Sequence, residues 1–295
     1  MIKSVFKRLI NFQRLPEQIL ILLTNPRSGS TWLFDALRCH PAIYMQSRAN
    51  IFKHLKLNGR RYPRDLSKTS SLKIEVCPNK WAQIPEFKIE KAEDYVSKEL
   101  MRKPYAIEKI HPHFYKHDVN KFMRSIASLE RTSKIQFIYQ VRDPKSSMVS
   151  FLRYQHRNSS WNRHIRQDKL PIHMKRIYDS LYKTAIEYPG LVIDYTELMA
   201  DFNNTMLQII DYIWSKESIT SDYEKQKIID LMAELTSRDK RRKGGTSFLG
   251  EKAGSLLGND GKYNTFFRKN EEEIEKCYRP YNLLLSLRVS QNKRI

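Results

Sequence analysis

Cysteine is scarce in this chain, acid is outnumbered, and long apolar runs are missing. The three cysteines, Cys39, Cys77 and Cys277, are far apart and odd in number, and no CxxC or Cys/His cluster has metal spacing. That argues against a disulfide framework or a structural zinc site, and for reduced thiols in a cytoplasmic setting. No segment approaches the roughly 18 apolar residues of a membrane span. The basic start, MIKSVFKRLINFQRLPEQ, has no continuous apolar stretch and no small-residue cleavage site, so no secretory signal is expected. No internal repeat and no low-complexity tract is present. The 32 acidic residues stand against 53 basic ones, for a net charge of +21 and a pI near 9.8.

What is there suffices for a folded core. Over 295 residues, 40% are hydrophobic and 11% aromatic, which excludes a wholly disordered chain. The charge fits a solvated basic surface or an anionic partner: nucleotide, acidic glycan, nucleic acid or membrane surface. In residues 1–18, Phe6, Leu9, Ile10 and Phe12 alternate with Lys3, Lys7, Arg8 and Arg14. That pattern is a short amphipathic segment, packed on the domain or in weak contact with a membrane surface. Residues 19–295 show no convincing boundary and read as a single domain.

Strands alternate with helices along that domain. Ile19–Leu23 is a short continuous apolar run, as a strand buried on both faces requires, and Ser30–Cys39 follows as a helix ending before Pro41. Further strands are expected at Leu72–Val76, Tyr105–Ile110, Ile135–Val141 and Leu191–Ile193. Helices are expected at Ile89–Met101, Val119–Leu129, 144–156, Ile172–Tyr188, Phe202–Trp214 and Glu224–Leu235, with NEEEIEKCY as a closing helix. The basic stretches 48–70 and 157–170 read as surface excursions. Alternation of this kind predicts an α/β fold with a parallel sheet covered on both faces.

The turn Asn25–Thr31, NPRSGST, carries the groups that an anion-holding turn needs. A buried strand feeding a tight turn and a helix aims backbone N–H groups at one point, where the helix adds partial positive charge. Gly29 permits close backbone approach, Ser28, Ser30 and Thr31 add hydroxyls, and Arg27 adds a forked cation. An ordinary strand–turn–helix with a serine cap explains the stretch equally well. The first glycine and the Gly-Lys pair of the ATP and GTP loop are missing, which disfavours a magnesium-dependent kinase.

A second stretch, FIYQVRDPKSSMVSFLRY, sets Arg142 at the carboxyl end of a strand, where α/β folds bind ligands. Asp143-Pro144 supplies an N-cap and a first-position proline. Ser150 lies eight residues after Arg142, placed so that its hydroxyl and the guanidinium can close on one phosphate.

Together, NPRSGSTWL and VRDPKSSMVSF resemble the paired phosphate elements of the sulfotransferases that use 3′-phosphoadenosine 5′-phosphosulfate (PAPS). VIDYTELMADFNNTMLQIIDYIW is similar to a third segment of that family, and the resemblance spans roughly 19–214. It implies a three-layer α/β fold, a central parallel β-sheet flanked by helices, of the P-loop NTPase-like sulfotransferase type. It also implies that Arg27, Ser28, Gly29, Ser30, Thr31 and Trp32 hold the 5′ end, and that Arg142 and Ser150 hold the 3′-phosphate. Arg27 stands where many soluble members have lysine; an arginine keeps the charge but does not give up a proton readily. In the tail, Arg242, Lys243 and Gly244 resemble the family's phosphate clamp, and GKYNTFF at 261–267 resembles the motif that normally follows closely. About a dozen extra residues separate the two here, so either segment can be the one that reaches the cofactor.

Tyr105–Ile110 continues into His111. Lys109-Ile110-His111 resembles the family's Lys-x-His, in which the histidine is general base and the lysine assists transfer. The same residues also fit a surface loop around Pro112. Glu108 and Glu75 are alternative bases, as in carbohydrate-directed members. The expected enzyme moves a sulfuryl group from PAPS to a hydroxyl acceptor, carbohydrate or another small alcohol, with a slight tilt toward an anionic one. The competing class is a non-catalytic basic nucleic-acid-binding protein. It explains the charge but not the order and spacing of the two phosphate elements, and no recognised nucleic-acid motif is present.

Overall fold

The computed structural model describes residues 18–37, 45–47, 76–78, 105–110, 134–157, 166–214, 222–223, 225–230, 232–233 and 263–292. Within them, β1 (Gln18–Thr24) lies at the middle of a six-stranded sheet. On one side it pairs in parallel with β4 (Tyr105–Ile110), which pairs in parallel with β2 (Met45–Ser47). On the other side it pairs in parallel with β5 (Lys134–Val141), itself parallel to β6 (Leu191–Asp194). At the far edge β3 (Val76–Pro78) runs antiparallel to β2, so the expected all-parallel sheet carries one reversed edge strand.

The alternation of side chains along β1 builds both cores. Ile19, Ile21 and Leu23 face one way, with Phe137, Tyr139 and Val141 of β5. They pack under α2 (Pro144–Arg157), α3 (Leu170–Glu187) and α7 (Glu271–Asn292). Leu20 and Leu22 face the other way, against α1 (Ser30–Leu37), α4 (Tyr195–Ala200), α5 (Phe202–Trp214) and buried Ile228, Ile229 and Met232. Burial on both faces is why the strand is apolar throughout and not alternating. The result is the three-layer α/β arrangement read from the sequence.

Several elements differ from expectation. The strand expected at 72–76 is described only from Val76 onward, and β2 carries too few residues to announce itself in sequence. Helix α3 begins at Leu170 and not Ile172, with Pro171 in its first turn, where a missing N–H costs nothing. Helix α7 runs on through Pro280, well past the short closing helix expected. Tertiary anchoring overrides the local penalty: Cys277, Tyr281 and Leu284, on both sides of the proline, are buried in the core. The short helix α6 (Asn264–Lys269) precedes it, and buried Tyr263 stands just before α6. No helix among the described residues is long and apolar enough to cross a membrane.

Candidate functional site

The site forms where two parallel strands end side by side. Register sets Thr24 opposite Gln140, so the turns after β1 and β5 start level. From β1 the chain moves toward β2 on one side, and from β5 toward β6 on the other. Divergence of this kind opens a crevice outside the strand ends of an α/β sheet.

The turn after β1 uses left-handed backbone twice, at Arg27 (φ 64°) and Gly29 (φ 76°). A β-carbon on Gly29 would stand 2.3 Å from Cε2 of Tyr195, so packing forbids a side chain there as well. The turn then enters α1, whose first internal bond runs from Leu33 N–H to the Gly29 carbonyl at 3.1 Å. The N–H groups of Ser30, Thr31 and Trp32 have no acceptor within the helix and add partial positive charge at its start.

The turn after β5 is built differently. Asp143 caps α2: its carboxylate accepts from Ser146 N–H at 2.7 Å and its carbonyl from Ser147 N–H at 2.9 Å. The Tyr278 hydroxyl of α7 donates to the other carboxylate oxygen at 2.9 Å. The Tyr178 hydroxyl donates to the Arg142 carbonyl, and burial holds that phenol well above its usual pKa, so it remains a donor. The Arg142 side chain is only 9% exposed. Its Nη1 donates to the Arg27 carbonyl at 3.0 Å, and its guanidinium lies 4.5 Å above the Tyr195 ring. Burial pulls its pKa down from the ordinary arginine value; Tyr195, Tyr178 and Asp143 oppose the shift. Among the described residues no carboxylate forms an ion pair with it.

Buried amides tie the two turns together. Asn25 accepts from Arg142 N–H at 3.0 Å through Oδ1, and donates through Nδ2 to Ser147 Oγ at 2.9 Å. Gln140 Nε2 donates to the Ser28 carbonyl at 2.9 Å. The buried Ser28 hydroxyl and Gln140 Oε1 have no hydrogen-bond partner among the described residues. Further out, Arg27 Nε donates to Ser150 Oγ at 3.3 Å, and its guanidinium lies 4.7 Å from the Tyr154 ring centre.

The fold therefore brings Arg27, Ser28, Gly29, Arg142 and Ser150 into one place. The contacts are not those expected: Ser150 meets Arg27 and not Arg142, because the Arg142 side chain turns inward to the Arg27 carbonyl. Ser30, Thr31 and Trp32 occupy the first turn of α1. Glu108 and Lys109 lie in β4 at the register of Ile21 and Leu22. His111, Glu75, Arg242, Lys243, Gly244, the 1–17 segment and the 48–70 excursion lie outside the described residues.

Several residues in the site drew no assignment from sequence. Asn25 opens the turn, but one amide gives no signal of what it bridges. Tyr195 follows β6 directly and packs on both Gly29 and Arg142, contacts between residues far apart in the chain. Tyr154, in the helix expected at 144–156, lies against Arg27. Asp194 caps α4 by accepting from Thr196 N–H, and it also accepts from the Tyr281 hydroxyl. Helix α7 thus contacts the caps behind both β5 and β6.

Comparison with known proteins gives one sequence match and several structural ones. The model of a group described as the sulfotransferase family matches residues 20–214. No curated protein matches in sequence. A crystal structure of mouse sulfotransferase SULT7A1 complexed with PAP is similar at 18% identity and a TM-score of 0.46, over 99% of this chain and 94% of that one. The sulfotransferase domain of the Synechococcus PCC 7002 olefin synthase is similar at 17% identity and a TM-score of 0.43, over 92% and 96%. Retinol dehydratase, in complex with androsterone and inactive cofactor PAP, is similar at 12% identity and a TM-score of 0.37, over 94% and 83%.

Proposed function

Because the chain belongs to the sulfotransferase family, we propose that it transfers a sulfuryl group from PAPS to an acceptor hydroxyl by in-line displacement. Arg142 is the observation that carries this reading. Its guanidinium is buried and, among the described residues, forms no ion pair, at the mouth of a sheet beside a second positively charged turn. A charge withdrawn from water without a counter-ion costs several kcal/mol, and an anionic ligand offsets that cost. The buried Ser28 hydroxyl without a partner supports the same ligand.

When bound, PAPS supplies an activated sulfuryl group and a phosphate leaving group. In this reading Arg27, Ser28, Gly29, Ser30, Thr31 and Trp32 hold its 5′ end, while Arg142 and Ser150 hold the 3′-phosphate. Arg242, Lys243 and Gly244, or the 261–267 segment in their place, clamp it. His111 takes the acceptor's proton as the acceptor oxygen bonds to sulfur and the bond from sulfur to the leaving phosphate breaks. Lys109 assists with charge; Glu108 and Glu75 are the alternative bases. Arg27 keeps its proton and stabilises the leaving group electrostatically. The acceptor is a carbohydrate or another small alcohol. A cytoplasmic setting belongs to the same proposal and draws on cysteine usage: Cys277 is a free thiol, raised to about 12 by burial.

Adenosine 3′,5′-bisphosphate, in the presence of chelator, tests the cofactor. At about 100 times its Kd it should stabilise the chain by about 2.7 kcal/mol, read as a rise in Tm. No rise, with strong salt-dependent binding to DNA, overturns the reading in favour of a nucleic-acid module. His111→Ala should lower turnover by about 10² to 10⁴ with bisphosphate affinity kept. If Glu108→Ala has that effect and His111→Ala does not, the base is the glutamate.

A further inference from the structure

Among the bonds that join the turn that is to hold the 5′ end to the turn that is to hold the 3′-phosphate, two involve the fully buried Asn25 side chain. Asn25 follows β1 directly, and its amide reaches across to the turn after β5 and to α2 with both ends occupied. Oδ1 accepts from the backbone N–H of Arg142 at 3.0 Å, and Nδ2 donates to Ser147 Oγ at 2.9 Å and to the Pro26 carbonyl at 3.2 Å. No aliphatic residue of its size offers an acceptor and a donor at once, and a carboxylate offers the acceptor alone.

From this geometry we infer that Asn25 is a positioning residue that sets the separation of the two phosphate subsites, and so the preference for a nucleotide phosphorylated at both ends. The inference rests on the proposed function. Each turn can meet its own phosphate unaided: one through backbone N–H groups at the start of α1, the other through the Arg142 guanidinium. A ligand carrying both phosphates gains from both turns together only when they are held at its own span, because no reorganisation is then needed on binding. Asn25 supplies that rigidity at the base of the crevice. The Gln140–Ser28 and Arg142–Arg27 bonds act in parallel, so loss of Asn25 reduces the preference without abolishing it.

The test is calorimetric titration of the full chain with adenosine 3′,5′-bisphosphate and with adenosine 5′-phosphate, alongside Tm. The unaltered chain should prefer the bisphosphate strongly. Asn25→Ala leaves the Arg142 N–H without an acceptor; bisphosphate affinity should fall about 30-fold, with 5′-phosphate affinity changed less than about threefold. Ser147→Ala removes one of the bonds and should cost the bisphosphate about threefold. Asn25→Asp keeps the acceptor for Arg142 but adds negative charge beside the site; its bisphosphate affinity should fall further than that of Asn25→Ala. Equal losses for both nucleotides in Asn25→Ala and Ser147→Ala, tracking a fall in Tm, mean a purely structural role and overturn the inference. So does an unchanged ratio. If Asn25→Ala fails to fold, Ser147→Ala and Asn25→Asp decide the matter on the same ratio. Absence of bisphosphate binding by the unaltered chain overturns the proposed function itself, a result none of the variant outcomes can mimic.

Discussion

The turns after β1 and β5 sit level at the end of one sheet, yet each presents positive charge by a different physical route. The β1 turn spends its conformational freedom on backbone: Arg27 and Gly29 are left-handed, and the helix that follows offers N–H groups to the crevice. Its one charged side chain, Arg27, is exposed and lies against Tyr154 and Ser150. The β5 turn has ordinary backbone, capped by Asp143, and instead buries a whole guanidinium between the Arg27 carbonyl and the Tyr195 ring. The difference shows where charge matters most. A group in water is screened and interchangeable, while a buried one acts through a low dielectric and tolerates no substitute.

Gly29→Ala should have the largest effect. The new β-carbon meets the Tyr195 ring at 2.3 Å in a left-handed conformation. Strain and overpacking together should destabilise the fold by about 2–6 kcal/mol, measured by denaturant unfolding. Since Tyr195 also carries the Arg142 guanidinium, bisphosphate affinity should fall in the same variant. Wild-type stability and affinity in Gly29→Ala would mean that backbone conformation does not govern the β1 turn.

Arg142→Ala comes next. If the proposed function holds, removing this buried cation should weaken bisphosphate binding by about 2–4 kcal/mol, with stability kept or raised once a buried charge is gone. Unchanged affinity would show that the two turns do not serve one ligand. Tyr154→Leu should have the smallest effect. The ring gives Arg27 a partly exposed cation–π contact, so affinity should drop by about 0.5–1 kcal/mol, with a larger share lost at low salt. A loss as great as that of Arg142→Ala would erase the contrast between an exposed and a buried cation.

Much of this contrast was legible in the chain. The run ILILL ahead of NPRSGST marks a doubly buried strand that feeds a tight turn, because burial leaves no polar alternation to confuse the pattern. Asp143-Pro144 marks the second turn by chemistry that acts over three or four residues. The bridges were not legible. Asn25 to Ser147 and Tyr195 to Gly29 join residues more than a hundred positions apart, and no local spacing encodes them. The path of α7 through Pro280 was hidden for a related reason, since local propensity speaks against it and only its buried neighbours hold it.

The sequence by itself determined the alternation of strands and helices, the two positively charged turns and their order, because those follow from side-chain type and short-range backbone preference. The tertiary structure decided which groups share the crevice: the inward turn of Arg142, the Asn25 bridge, the Tyr195 ring between glycine and guanidinium, and the reversed edge strand β3. These depend on which strands become neighbours in the sheet, and pairing over long separations is set by the closing of both hydrophobic layers at once, not by any segment alone.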